Sequence, residues 1–336
     1  MDDRELLETV LSEYSEDPKP GKIEPLGAAG GFSGACFWRI AARHGAFCLR
    51  QWPPEHPSAE RLGYIHRLLR HVHDRGFHIV PLPIPTRTAA TFVAHGGRLW
   101  QLEPWLAGVA DYHDRPTPAK LRAALETLGR FHQVARDFSK PVLAPSPGIV
   151  DRRRQFDDLL QGQLEVVAAA IEAGGWPTRQ RQGRLLLRRF SALCPDVVRQ
   201  LDWAMRYDVM LQPCIRDVRS EHVLFSGARV SGLVDFGAVR QENVAFDVSR
   251  LLGSLAGCDT KAWRAGVAAY ESIRPLSTVE RQLLGPLDRS GLLLGGMNWM
   301  EWIYVEGRAF EDRLAVERRI DAILDRLDRP AVELGE

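Results

Sequence analysis

The sequence predicts a two-lobed α+β fold: a small antiparallel β-sheet with one main helix, followed by a larger, mostly helical lobe. Three observations predict it. The chain has 336 residues, more than one simple core organises well and suited to two compact parts. Its strand-like segments gather between residues 22 and 106 and do not alternate with helices, which argues against a doubly wound parallel sheet. A short strand-rich stretch, 212–240, then interrupts an otherwise helical remainder.

Residues 4–14 read as a short helix with Leu6, Leu7, Val10 and Leu11 on one face. The breaker DPKPG at 17–21 ends it. Segments 36–41 and 46–51 flank Arg43, His44 and Gly45, a hairpin signal. Residues 61–73 place Leu62, Ile65, Leu68, Leu69 and Val72 at helical spacing. The proline-spaced stretch 80–85 can join neither a helix nor a central strand. Segments 91–94 and 98–102 flank Gly96 and Gly97, a second hairpin signal. Further on, 118–136 carries the stripe Leu121, Leu125, Leu128, Phe131 and Val134. Residues 152–173 and 179–193 read as charged helices paired across GGWP at 174–177, and helices resume from Asp247 to about residue 327. The expected division is an N-lobe at 1–105 and a C-lobe at 106–336, with a helical insert at about 150–210.

Composition narrows the function. Apolar residues make up 45% and charged residues 26%, as in an ordinary globular protein. The formal net charge of +1 gives no reason to expect nucleic acid as a partner. Five scattered cysteines without a CxxC pair read as small buried hydrophobes in a reducing compartment. The acidic, amphipathic N-terminus does not resemble a signal peptide. No apolar run reaches the roughly 20 residues that span a bilayer. The expectation is a cytoplasmic protein with no membrane partner; the oligomeric state stays open.

The strongest chemical signal runs from Cys214 to Gly237. Ile215, Arg216 and Asp217 are followed by His222 five residues after the aspartate. A turn at Gly227 leads to 230–234 and then to Asp235, Phe236 and Gly237. Phosphoryl transfer needs a carboxylate near the attacking hydroxyl and ligands that hold a divalent cation against phosphates. A loop aspartate, a ligand five residues on and a hairpin returning to Asp-Phe-Gly supply those groups in order.

This pattern resembles the protein-kinase-like superfamily, and more narrowly its aminoglycoside phosphotransferase and choline-kinase-type branch. The resemblance implies an ATP-dependent phosphotransferase acting on a hydroxyl of a small molecule, with Mg²⁺ or Mn²⁺. It implies Asp217 as the hydroxyl-orienting base, Arg219 as a cation beside the transferred group and Asp235 as the main metal ligand. Two positions depart from the superfamily motif. Ile215 stands where a loop-supporting histidine is usual. His222 stands where an asparagine gives oxygen to a metal, and imidazole suits Mn²⁺ better than Mg²⁺; capping the loop is its alternative role. These departures also admit a pseudokinase, a nucleotide- or partner-binding module without turnover.

Upstream, Gly30, Gly31, Ser33 and Gly34 in LGAAGGFSG resemble the family's nucleotide-covering hairpin, where backbone must approach phosphates closely. Arg50 occupies the phosphate-binding cation's place, with a solvent-facing strand residue as the alternative. Glu60 is the candidate partner of that cation, or else a helix-start charge. The stretch from Glu103 to Trp105 resembles the connection whose backbone binds the adenine edge. Asp247 matches an aspartate that braces the catalytic loop; N-capping the next helix is its competing role. His132 reads as structural. The cluster His66, His71, His73 and His78 lacks a zinc spacing. The arginines at 152–154 and 188–189 read as solvated helix faces, and the aromatic run 298–304 as a core helix.

Overall fold

The computed structural model describes residues 3–14, 22–27, 34–43, 45–174, 177–310 and 312–330. In chain order the elements are α1 (Asp3–Ser12), β1 (Lys22–Gly27), β2 (Cys36–Ala42), β3 (Gly45–Gln51), α2 (Ala59–Asp74), β4 (Val93–His95), β5 (Arg98–Pro104), α3 (Pro118–Ala135), β6 (Val142–Ala144), α4 (Pro147–Asp158), α5 (Leu164–Ala173), α6 (Pro177–Ala204), β7 (Val209–Cys214), β8 (Val223–Ser226), β9 (Arg229–Leu233), β10 (Arg240–Glu242), α7 (Val244–Ala256), α8 (Thr260–Glu271), α9 (Thr278–Met300) and α10 (Arg313–Leu327). Among the described residues no helix is long and apolar enough to cross a membrane.

The chain divides into two compact units, Met1–Lys120 with Glu221–Val239, and Leu121–Ser220 with Arg240–Glu336. This division differs from a single cut after residue 105. The β8–β9 hairpin joins the first unit because Phe225 bridges Val109 and the Leu233 amide donates to the Ile79 carbonyl at 2.8 Å.

The first unit is built on an antiparallel sheet in the order β1-β2-β3-β5-β4. Strand alternation gives it two different faces. One face buries Ile40, Phe47, Leu49, Trp100 and Leu102 against Leu7, Val10, Leu11 and Tyr14, and the Tyr14 hydroxyl donates to the Trp100 carbonyl at 3.1 Å. The opposite face carries Cys48, Arg50, Gln101 and Glu103, with Arg50 paired to Gln101 and Cys48 to Glu103 across β3 and β5. Helix α2 covers this face: Ser58 caps it, and Leu62, Ile65, Leu68, Leu69 and Val72 are buried, the spacing read from the sequence.

The second unit is helical around a short sheet in the order β10-β7-β6. Helix α9 packs against α4, α6, α7 and α10, and Phe156 of α4 stacks on Phe190 of α6 at 5.5 Å. Two expectations are corrected here. The helix expected over 152–173 is two helices, broken at a π-helical turn over Leu159–Gln163, where Gly162 takes φ 131°. The helix expected to end near residue 193 runs on through Pro195 to Ala204; burial of Val197, Leu201 and Ala204 offsets the hydrogen bond that proline cannot make.

The start of α4 is fixed by Glu242, which has no exposed surface. Its carboxylate accepts from the Ser146 hydroxyl at 2.5 Å, the Gly148 amide at 2.7 Å and the Asn243 amide at 2.9 Å. A Cβ on Gly148 would stand 2.4 Å from the Phe246 ring and 2.7 Å from a Glu242 oxygen. Gly148→Ala is therefore expected to lower stability by about 2 kcal/mol, the usual scale of overpacking. Chemical denaturation checks it, and an unchanged midpoint would contradict this account of the α4 start.

Candidate functional site

The candidate residues fall into two groups, one in each unit. In the first unit they surround Arg50. Residue alternation on β3 puts Trp52 on the same face as Arg50, and the β2–β3 register puts Phe37 directly opposite it. The guanidinium lies 3.4 Å from the Trp52 ring centroid and 5.0 Å from that of Phe37. Its Nη1 donates to Asp235 Oδ1 at 3.1 Å. Arg50 is thus buried, not a solvent-facing strand residue. Its pairing with Glu60 is not formed: Glu60 is exposed in the first turn of α2, and the acid beside Arg50 is Asp235.

Asp235 takes φ 63°, a left-handed conformation that costs free energy in a non-glycine residue and persists only when its surroundings hold it. Its second oxygen lies 3.6 Å from Nε2 of His222. The groups bonded to a small divalent cation at about 2.1 Å sit roughly 3 Å apart in octahedral geometry. One carboxylate oxygen and one imidazole nitrogen at this separation fit neighbouring positions on a single cation with little movement.

Behind Arg50 a polar chain orients the sheet face. The His66 ring, pushed down to about 4 by burial, is neutral. Its Nδ1 accepts from Thr91 Oγ1 at 2.8 Å, and its Nε2 donates to Gln101 Oε1 at 3.2 Å. Trp52 Nε1 donates to the same oxygen at 2.8 Å. Gln101 Nε2 therefore points at Glu103 and donates to Oε2 at 2.5 Å. Burial pushes the Glu103 carboxyl up to about 7, against the opposing pull of Arg50. Next along the chain, the Trp105 amide donates to the Ala46 carbonyl at 2.9 Å, so that expected nucleotide donor is already engaged. The Trp105 ring carries Arg39 at 5.0 Å. Gly34 takes φ 75°; Gly30, Gly31 and Ser33 lie outside the described residues.

In the second unit the group is built at the end of β7. Asp247 lies in the first turn of α7, where Asn243 and not Asp247 is the N-cap. The Asp247 side chain instead accepts from the amides of Ile215 and Arg216, both at 2.6 Å, and from His132 Nε2 at 3.1 Å. His132 Nδ1 accepts in turn from the Tyr270 hydroxyl at 2.7 Å. Arg216 takes φ 66°, and Asp217 follows it. Ile215, in the place of a loop-supporting histidine, is simply buried. The Cys214 thiol lies beside this cluster; burial pushes it well up, so it stays protonated, and the cluster is a hydrogen-bonded brace.

The Asp217 carboxylate is about 37% exposed. It accepts from Arg250 Nη2 at 2.9 Å, and Arg219 Nη2 stands 3.5 Å from its other oxygen. Sequence reading passed over Arg250, although the signal was present: it follows Asp247 by three residues and so shares its face of α7. Trp52 and Phe37 were missed too; both flank Arg50 by strand alternation and cross-strand register. Arg152, expected on a solvated face, turns inward instead. It donates to the Leu287 carbonyl and the Ser290 hydroxyl and lies 4.6 Å from the Phe246 ring centroid.

With this geometry in hand, a model of the phosphotransferase enzyme family matches residues 24–283, well over half of the chain. A homoserine kinase of Rhodopseudomonas palustris is 25% identical over 251 residues, covering 70% of this chain and 67% of the relative. A homoserine kinase of Methylobacterium nodulans is 25% identical over 332 residues, covering 94% of both. Among solved structures, a spectinomycin phosphotransferase in complex with ADP and spectinomycin superposes with a TM-score of 0.67 at 12% identity, covering 96% of this chain and 95% of that one. At that identity the likeness establishes the fold.

The raised Glu103 carboxyl has a consequence for stability. Its folded value of about 7 lies above the ordinary 4.5, so the folded state holds this proton more tightly. The resulting penalty is absent below about pH 4.5, grows as pH rises through that interval and is complete above it. Glu103→Gln should therefore raise the melting temperature at pH 8 and give little gain at pH 5. An equal effect at both values would show that Glu103 is ionised in the fold without cost.

Proposed function

This chain belongs to the phosphotransferase enzyme family, and from that membership we propose that Asp217, Arg50 and Asp235 carry an ATP-dependent transfer of phosphate to a hydroxyl of a small metabolite. The observation that supports the reading most is Asp217 itself. It is a partly exposed carboxylate flanked by two guanidiniums, and it follows Arg216, whose positive φ is held by the hydrogen bonds of the Ile215 and Arg216 amides to Asp247. A group so fixed is suited to orient a hydroxyl and accept its proton as the new phosphate ester bond forms.

Arg50 binds phosphate oxygens, with its planar guanidinium oriented by contact with Phe37 and Trp52. Asp235 holds the divalent cation, with His222 as a second ligand that favours Mn²⁺ over Mg²⁺. The cation supplies charge neutralisation on the phosphates when bound. Arg50 and Asp235 neutralise one another; with nucleotide and cation bound, Arg50 would face phosphate and Asp235 the cation. Arg219 stands by the transferred group. Gly30, Gly31, Ser33 and Gly34 cover the nucleotide, and Glu103 with its neighbours lines the base. Residues 1–105 thus serve the nucleotide, and 106–336 the acceptor and the catalytic loop. The acceptor is a small hydroxyl compound, for which homoserine, the substrate named for the relatives, is the first candidate. The protein works in the cytoplasm.

The reading is tested by incubating the protein with ATP, Mg²⁺ or Mn²⁺ and a panel of hydroxyl metabolites, with mass detection of a phosphorylated product. ATP binding with no product from any acceptor would contradict it. Asp217→Asn should bind nucleotide as wild type does and lose about 10²-fold or more in kcat, the scale of general-base contributions; near-normal kcat would remove Asp217 from the mechanism. Asp235→Ala should lose metal-dependent ATP affinity in calorimetric titration while remaining folded. Unchanged affinity with unchanged metal dependence would place the cation elsewhere.

A further inference from the structure

We propose that Arg250 binds the carboxylate of a hydroxy amino acid acceptor and so selects such acceptors over neutral or purely cationic alcohols. This rests on the phosphotransferase reading above and names its substrate class.

Arg250 reaches from α7 to Asp217, the residue assigned to the acceptor hydroxyl, through a single bond from Nη2 at 2.9 Å. Its side chain is about 37% exposed. Nε and Nη1 make no hydrogen bond among the described residues, so the guanidinium retains donors for a second anionic partner beside Asp217. A planar guanidinium with free edges is matched to a carboxylate.

The surrounding charges leave room for that anion. Arg152, Arg216, Arg219 and Arg250 lie around three carboxylates, those of Asp151, Asp217 and Glu242. Arg216 stands 3.7 Å from Asp151 and 3.6 Å from Glu242, and its guanidinium shares the Phe246 ring with that of Arg152. Arg152 forms no ion pair among the described residues; burial, and next the charge of Arg250, bring it down to about 9. Glu242 accepts from three neutral donors besides facing Arg216, and burial pushes its carboxyl up, which weakens it as a counter-charge. The nearby Asp288 is engaged by Arg326 through both oxygens at 2.7 and 2.8 Å. Among these groups of the second unit, four guanidiniums face three carboxylates, a surplus of one positive charge that one carboxylate neutralises. The transferred phosphoryl group offers the same anionic oxygens, and the experiment separates the two.

Steady-state kinetics with ATP are measured for homoserine, serine and threonine, each against the amino alcohol that lacks only the carboxylate. Wild type should favour the amino acid of at least one pair in kcat/KM. Arg250→Gln should cut that preference by about tenfold or more, the scale of a charge-assisted contact, mainly through the KM of the amino acid, with partial rescue by Arg250→Lys. If Arg250 only braces Asp217, or contacts the transferred phosphoryl group, kcat falls equally for both members of a pair and the preference is unchanged; either result overturns the proposal. Calorimetric titration of the amino acids into wild type and Arg250→Gln, both checked for folding by circular dichroism, gives a reading free of turnover. Weaker binding by the variant supports the proposal, and absent or equal binding refutes it. Turnover restricted to the amino alcohols defeats this inference alone, whereas no turnover with any acceptor defeats the phosphotransferase reading and leaves the titration to decide Arg250.

Discussion

Asp247 is closed off from water, and the order of the second unit converges on its two oxygens. The amides of Ile215 and Arg216 and the His132 ring all meet that carboxylate, and Tyr270 fixes the ring from its far side. Three helices, α3, α7 and α8, are thereby tied to the end of β7. The two hydrogen bonds donated by these amides also hold Arg216 at a positive φ that an unsupported arginine would avoid. That turn decides where Asp217 stands. A buried donor left without its acceptor costs about 1–3 kcal/mol, so the same contact that shapes the loop also keeps it from relaxing.

Arg50 is held by a different constraint in the first unit. Strand alternation, two aromatic rings and Asp235 fix it from three sides, while the His66–Gln101–Glu103 chain stiffens the sheet face on which it stands. Aromatic contact and one carboxylate offset part of the cost of burying this guanidinium, whose Nε has no hydrogen-bond partner among the described residues. The site residues of each unit are thus set by packing against that unit's own core, and hydrogen-bonded polar side chains do the positioning.

Much of this was legible in the sequence. Segments flanking the turns at Gly45 and at Gly96 and Gly97 gave the sheet, and helical spacing gave α2 and α3, because one face of each helix is buried against a core and the pattern is a direct image of that burial. The motif from Asp217 to Asp235 was legible because its order and spacing are unusual together. The partners of those residues were harder to read. Arg50 pairs with Asp235, 185 positions away, and not with Glu60, whose proximity in sequence says nothing about which face it shares. The break at Gly162 was hidden because both flanking segments keep helical character and a π-helical turn inserts only a small change of phase. Arg152 looked like one of three surface charges; its inward turn follows from the helix face it occupies and from Gly291 opposite, where a Cβ would stand 3.0 Å from its guanidinium.

The position of Asp217 depends most directly on the hydrogen bonds from the Ile215 and Arg216 amides to Asp247. Amide hydrogen exchange at Ile215 and Arg216, resolved by NMR in wild type and Asp247→Asn and read alongside turnover, tests it. The expected result is strong protection of both amides in wild type, its loss at those two positions in the variant with β7 still protected, and a fall in kcat with nucleotide affinity retained. Unchanged protection together with unchanged kcat would contradict the claim that this carboxylate sets the loop on which Asp217 stands.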